Sequence, residues 1–171
     1  MPAGDLEIAT DRMRLAAASE ALLHAALHAP GSLSAMLDAV VPAGWPPPDN
    51  VRFLQSMLDA VRGDRTSLGW GPWLMLLREP AVLVGDAGFK RKPDAGGVVE
   101  IGYGVLSPYR GQGLATEAVR ALIRWAFSHG AAIVLAECEE TNLASVRVLQ
   151  KAGLHNVSRQ EGLLSWRVEK G

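Results

Sequence analysis

At 171 residues, 49% of them hydrophobic, the chain is long enough for one domain with a substantial core and too apolar to be disordered. Seventeen basic against eighteen acidic residues leave a net charge of -1, which excludes a nucleic-acid partner held by bulk charge. The single cysteine, Cys138, excludes an intrachain disulfide and a cysteine-based zinc cluster. No apolar run reaches membrane-spanning length, and Asp5, Glu7 and Asp11 are wrong for a secretory leader, so a cytoplasmic protein without a membrane partner is expected.

Residues 1–9 read as a loose lead-in, and Arg12 to Ala16 as a short first strand with Met13 and Leu15 on one side. Ser19 is placed to cap a helix through Leu22, Leu23, Ala26 and Leu27 that Pro30 stops; Ser32 then starts a second helix through Leu33, Met36, Leu37 and Val40. His24 and His28 stand four apart, a spacing able to hold a metal, but no third ligand accompanies them and no metal is expected. Val41 to Asn50, with three consecutive prolines, is irregular and extended. Asp49 or Asn50 caps a third helix through Leu54, Met57, Leu58 and Val61, ending near Gly63. Trp73–Leu77 and Ala81–Gly85 are apolar runs on either side of Arg78-Glu79-Pro80, a hairpin signal, and Lys90 to Gly97 is a polar turn.

The stretch Val98 to Ala115 changes character twice. Val98, Val99, Ile101, Tyr103 and Val105 form a strand, which Pro108 ends because it has no N–H to donate. A glycine-containing loop then opens into a helix with Leu114, Ala118, Val119, Leu122, Ile123 and Ala126 on one face and Glu117, Arg120 and Arg124 on the other. Strand, glycine turn and helix start leave unpaired N–H groups at the positive end of a helix dipole, which suits a phosphate or diphosphate. No Gly-Lys-Ser/Thr follows, so this is not a P-loop. Thr116 stands where a dinucleotide fingerprint needs glycine or alanine. A crossover leads to the strand Ile133–Ala136. Thr141 or Asn142 then caps a helix through Val146, Leu149 and Ala152, ended by Gly153, and two closing strands turn at Glu161-Gly162.

Arg110-Gly111-Gln112-Gly113-Leu114-Ala115 resembles the Arg/Gln-x-x-Gly-x-Gly/Ala signature of the GNAT superfamily of acyl-CoA-dependent N-acetyltransferases. The wider run EIGYGVLSPYRGQGLATEAVRALIRWAF resembles the branch containing the ribosomal-protein N-terminal acetyltransferases. ECEETNLASVRVLQKAGL is similar to that family's strand–asparagine–helix segment. The resemblance covers residues 73–171 well and the front part loosely.

It implies an α/β (α+β) fold: a mixed, mostly antiparallel central sheet flanked by helices, in a single domain over 1–171. Residues 1–72 would form the acceptor side and 73–171 the sheet and acetyl-CoA core. Trp45, Trp70 and Trp73 would either line the acceptor pocket or pack as core. The co-substrate implied is acetyl-CoA, its diphosphate on the N–H groups of Gly111, Gln112, Gly113, Leu114, Ala115 and Thr116, with Arg110 adding charge. The pantetheine arm would pair with the Val105–Leu106 backbone, and Asn142 and Ser145 occupy the matching cofactor positions. Glu100 stands where many relatives carry the general base, with Glu137 and Glu139 in reserve on one face of their strand. Leu149 replaces the tyrosine that often protonates the leaving thiolate, so Tyr103, Tyr109 or water must stand in. The acceptor implied is a primary amine, on a peptide N-terminus or a small molecule, and a homodimer is possible. The alternative is a non-catalytic acyl-CoA-binding or sensing domain.

Overall fold

The computed structural model describes residues 6–171. Along them run β1 (Glu7–Ala9), β2 (Met13–Ala17), α1 (Glu20–His28), α2 (Pro30–Leu37), α3 (Val51–Gly63), β3 (Pro72–Arg78) and β4 (Ala81–Phe89). There follow β5 (Val98–Val105), α4 (Leu114–Ser128), β6 (Ile133–Glu139), α5 (Leu143–Lys151), β7 (His155–Gln160) and β8 (Leu163–Glu169). The strands form a mixed sheet in the order β1-β2-β3-β4-β5-β6-β8-β7, as an α/β fold of this type requires. The chain divides inside β4 into two compact units, Met1–Asp86 and Ala87–Gly171.

In the first unit β2 is covered on both faces: Met13 and Leu15 are fully buried, and Ala16 and Ala17 nearly so. It pairs antiparallel with β3 from Met13↔Leu77 to Ala17↔Trp73. The lead-in is not loose where it is described. Glu7–Ala9 forms β1 against β2, with Glu7 opposite Ala16, so a tertiary partner makes a strand that local sequence does not announce. The remainder of the expected lead-in, residues 1–5, lies outside the described residues.

Ser19 caps α1 as expected, its Oγ accepting the Leu22 N–H at 3.3 Å. Ser19→Ala should therefore lower stability by about 1 kcal/mol, read by urea unfolding. Pro30 does more than stop α1. It occupies the first turn of α2, where its fixed φ is helical and its missing N–H would be unpaired anyway. Ser32 is thus inside α2, its Oγ donating to the Ala29 carbonyl. The helix ends at Leu37, and Val40 instead bridges to Val82 on β4. In α3, Leu54, Leu58 and Val61 recur at i, i+4 and i+7 and are the buried face. Neither Asp49 nor Asn50 caps that helix through its side chain: Asn50 Nδ2 donates to Asp86 Oδ2 on β4 at 2.6 Å. Trp45, Trp70 and Trp73 are core. All three are buried, and Trp73 Nε1 donates to the Gly69 carbonyl at 2.8 Å.

In the second unit α4 is the crossover that makes β5 and β6 parallel, and its buried face is the one read from spacing: Leu114, Ala118, Val119, Leu122, Ile123 and Ala126. The far end of α4 is pinned by Trp125, which stacks on His129 at 4.3 Å between ring centroids. The last two strands do not simply follow on. β8 lies between β6 and β7, antiparallel to both, with Glu161 and Gly162 in the left-handed region at the connecting turn.

Candidate active site

The parallel ladder between β5 and β6 is short: Val98↔Ile133, Val99↔Val134 and Glu100↔Leu135. Past Glu100, β5 continues to Val105 while β6 stays paired with β8 as far as Glu139↔Leu163. The two strands therefore part, and the C-terminal half of β5 keeps backbone donors and acceptors facing the gap. Buried backbone groups require partners, so such an edge accepts an added extended segment.

At the mouth of that gap the chain makes a 3-10 turn at Ser107–Tyr109 and enters α4 through Gly111 and Gly113, at φ 75 and 79. Only glycine takes these conformations freely. Gly113 is the N-cap residue of α4 and offers no side chain to cap it, so the first-turn N–H groups have no intrahelical partner and none from a cap. A Cβ on Gly111 would meet nothing within 4 Å, so the loop backbone faces open space. The result is a row of amide donors at the positive end of a 15-residue helix.

Gap and loop together bound a cleft of about 530 Å³. Of the residues singled out from sequence, Tyr103, Val105, Tyr109, Arg110, Gly111, Gly113, Leu114, Ala115, Thr116, Asn142 and Ser145 line it; Leu106, Gln112 and Glu100 do not. Arg110 is partly committed, its Nε donating to the Val105 carbonyl at 2.8 Å. Asn142 caps α5 by accepting the Ser145 N–H at 3.1 Å, which leaves its amide N–H groups for a ligand. The cleft residues that sequence reasoning did not place there include Ala144, Arg147, Val148 and Lys151. Their signal was the i, i+3, i+4, i+7 spacing from Ala144, which puts all four on one face of α5.

Tyr103 projects from β5 into this cleft and its hydroxyl donates to the Ser145 carbonyl at 3.4 Å. Burial, opposed by that bond and aided by the Cys138 thiol, raises its phenol above the ordinary value, so it stays protonated at neutral pH. Glu100, three residues earlier, falls on the other face of the strand, where its carboxylate is paired with Lys90 Nζ. Glu137 and Glu139 share the exposed face of β6, opposite buried Cys138. Leu149 is fully buried, so its position on α5 points into the core.

The family profile described as "Acetyltransferase (GNAT) domain" matches residues 13–155. The chain belongs to the GNAT acetyltransferase family. It is an acetyl-CoA-dependent acyltransferase. A Bacillus subtilis (strain 168) protein described as uncharacterized N-acetyltransferase YjdG is 29% identical over 145 residues, covering 84% of this chain and 86% of the relative. Among solved structures, RimL, a ribosomal L7/L12 alpha-N-protein acetyltransferase in complex with coenzyme A, superposes with a TM-score of 0.66 at 16% identity, covering 95% and 97% of the two chains. The microcin C7 self-immunity acetyltransferase MccE, in complex with acetyl-CoA and AMP, gives 0.62 at 15% identity, covering 94% and 93%. These two similarities speak to the GNAT fold. The donor set of the cleft fits the co-substrate of the family: amides and cations for phosphates, and a free strand edge for an amide-bearing arm. Among the described residues no group of three His, Cys, Asp or Glu side chains is placed to hold a metal, and no helix is long and apolar enough to cross a membrane. The His24 and His28 rings lie 5.0 Å apart.

Proposed function

We propose that this GNAT protein transfers an acetyl group from acetyl-CoA to a primary amine, on a peptide N-terminus or a small molecule, by direct attack within a ternary complex. The observation that carries this reading is the parting of β5 from β6 beside an uncapped, glycine-entered helix start. Acetyl-CoA supplies an acyl thioester whose carbonyl takes the amine and whose thiolate leaves. The N–H groups from Gly111 to Thr116 hold the diphosphate. The free edge of β5 near Val105 and Leu106 takes the pantetheine amides, and the same edge offers a donor to the carbonyl oxygen as charge develops on it. Asn142 and Ser145 bound the arm from α5. The work of the protein is alignment, and no covalent enzyme intermediate is needed.

Two protons must move. The attacking amine has to be neutral, and Glu100, which does not line the cleft and is paired with Lys90 Nζ, is assigned to accept its proton through water from the opposite face of β5, giving up that pairing. The leaving thiolate needs a donor. Leu149 offers none; Tyr103 and Tyr109 both line the cleft, and Tyr103, whose hydroxyl reaches the Ser145 carbonyl and whose phenol burial keeps protonated, takes that role. Release of free thiol from acetyl-CoA over a panel of amines tests the activity; coenzyme A binding with no turnover on any amine would favour the sensing alternative. Within an active protein, Glu100→Gln and Tyr103→Phe should each lower kcat by roughly 100-fold or more while leaving the Kd for coenzyme A within about twofold. A fully active variant removes that residue from its role.

A further inference from the structure

We propose that Arg147 and Lys151 form a subsite for the 3′-phosphate on the ribose of coenzyme A, and that they make this protein selective for coenzyme A over its 3′-dephospho form. The inference rests on the reading of the cleft as the coenzyme A site and adds to it the group that decides between two near-identical ligands.

The cleft carries a charge imbalance. Arg110, Arg147 and Lys151 line the cleft and no carboxylate does. Arg110 is drawn back to the Val105 carbonyl. Arg147 and Lys151 are exposed, and among the described residues neither side chain has a hydrogen-bonded or ion-paired partner. They stand four apart on α5, so each raises the energy of the other slightly, and the helix sequence LASVRVLQK contains no acid to offset them.

A structural role for Lys151 is already filled. A cation at the end of a helix commonly serves the carbonyls there, but the Lys151 carbonyl accepts Arg120 Nε at 3.0 Å and Arg120 Nη2 at 2.6 Å, so α4 supplies that cation. Two cations that neither pair nor cap, on the wall of a cleft, indicate an anionic ligand group. The diphosphate has its partners in the loop amides. Coenzyme A carries one phosphate more, on the 3′-oxygen of its ribose, close to dianionic at neutral pH. The same α5 face brings Ala144 and Val148 to the cleft beside the cations, an apolar surface for the uncharged parts of the ligand.

Calorimetric titration of the full chain with coenzyme A and with 3′-dephospho-coenzyme A tests this. The wild type should bind the dephospho form about 10-fold more weakly, the size expected for two exposed charge pairs. The double variant Arg147→Gln/Lys151→Gln should bind both forms equally, at the affinity of the wild type for the dephospho form. Arg147→Lys/Lys151→Arg should keep the preference. Both variants change exposed positions, and a melting temperature matching the wild type establishes that they fold. Equal binding of the two ligands by the wild type overturns the subsite while leaving the coenzyme A site standing. An equal loss of both ligands in the double variant also overturns it, by assigning the cations to the diphosphate. A wild type that binds neither form removes the coenzyme A reading itself.

Discussion

Gly113→Val should reduce the affinity for coenzyme A by at least about 100-fold while the chain still folds. Gly113 sits at φ 79 and ψ 9, directly before the first turn of α4. A β-branched residue is a genuine outlier there, and the strain of roughly 1–2 kcal/mol is relieved only by rotating the peptide units that aim the loop amides outward. Two or three charge-assisted hydrogen bonds to a diphosphate, each about 1.5–3 kcal/mol, would be lost or misdirected. That sum exceeds the fold-change stated, at one factor of ten per 1.4 kcal/mol. Gly130→Ala is the control. Gly130 is at φ 103 past the opposite end of α4, and its added Cβ would meet nothing within 4 Å. It should destabilise the chain by a similar amount and leave coenzyme A binding unchanged. If Gly113→Val binds coenzyme A like the wild type, the loop amides are not what holds the ligand.

What the sequence made legible follows a physical division. The glycine loop, the amphipathic face of α4 and the Ser19 cap are set by residues within one or two turns of each other, so spacing alone exposes them. Elements set by a distant partner were not visible. Glu7–Ala9 becomes a strand only because β2 lies beside it, and β8 inserts between β6 and β7 for reasons that no window of either strand contains. Pro30 signals only a stop within its own window, although the same lack of an N–H that ends one helix suits the start of the next. Asn50 has the right side chain and position for a cap, and loses that role to a carboxylate 36 residues away. In the site, the loop was recoverable from its own glycines. The cation pair on α5 was not, because what distinguishes Arg147 and Lys151 from ordinary surface charges is the absence of acids around a cleft that only the fold creates.

Asp86 was invisible for the same reason, and its replacement should have the largest effect on stability. The side chain is half-buried on β4, and burial pushes its carboxyl up from the ordinary 3.8 to about 6, only partly offset by the Asn50 Nδ2 donor at 2.6 Å. Between those two values the folded chain holds a proton that the unfolded chain has released. The contribution of Asp86 to stability is therefore fully present below pH 3.8, declines as pH rises to about 6, and is level above that. At pH 7.5 the folded state carries an ionised carboxylate it disfavours, by about 1–3 kcal/mol once the water still reaching the group is allowed for. Asp86→Asn cannot ionise and still presents an oxygen to Asn50. It should gain that amount at pH 7.5 and gain nothing at pH 4, as measured by urea unfolding at the two values. Asn50→Ala should do the reverse at pH 7.5, because it leaves the buried carboxylate without its donor and destabilises by about 1–3 kcal/mol. A stability difference between Asp86→Asn and wild type that is the same at both pH values would mean that Asp86 keeps an ordinary pKa, and that the contact with Asn50 is geometry without electrostatic consequence.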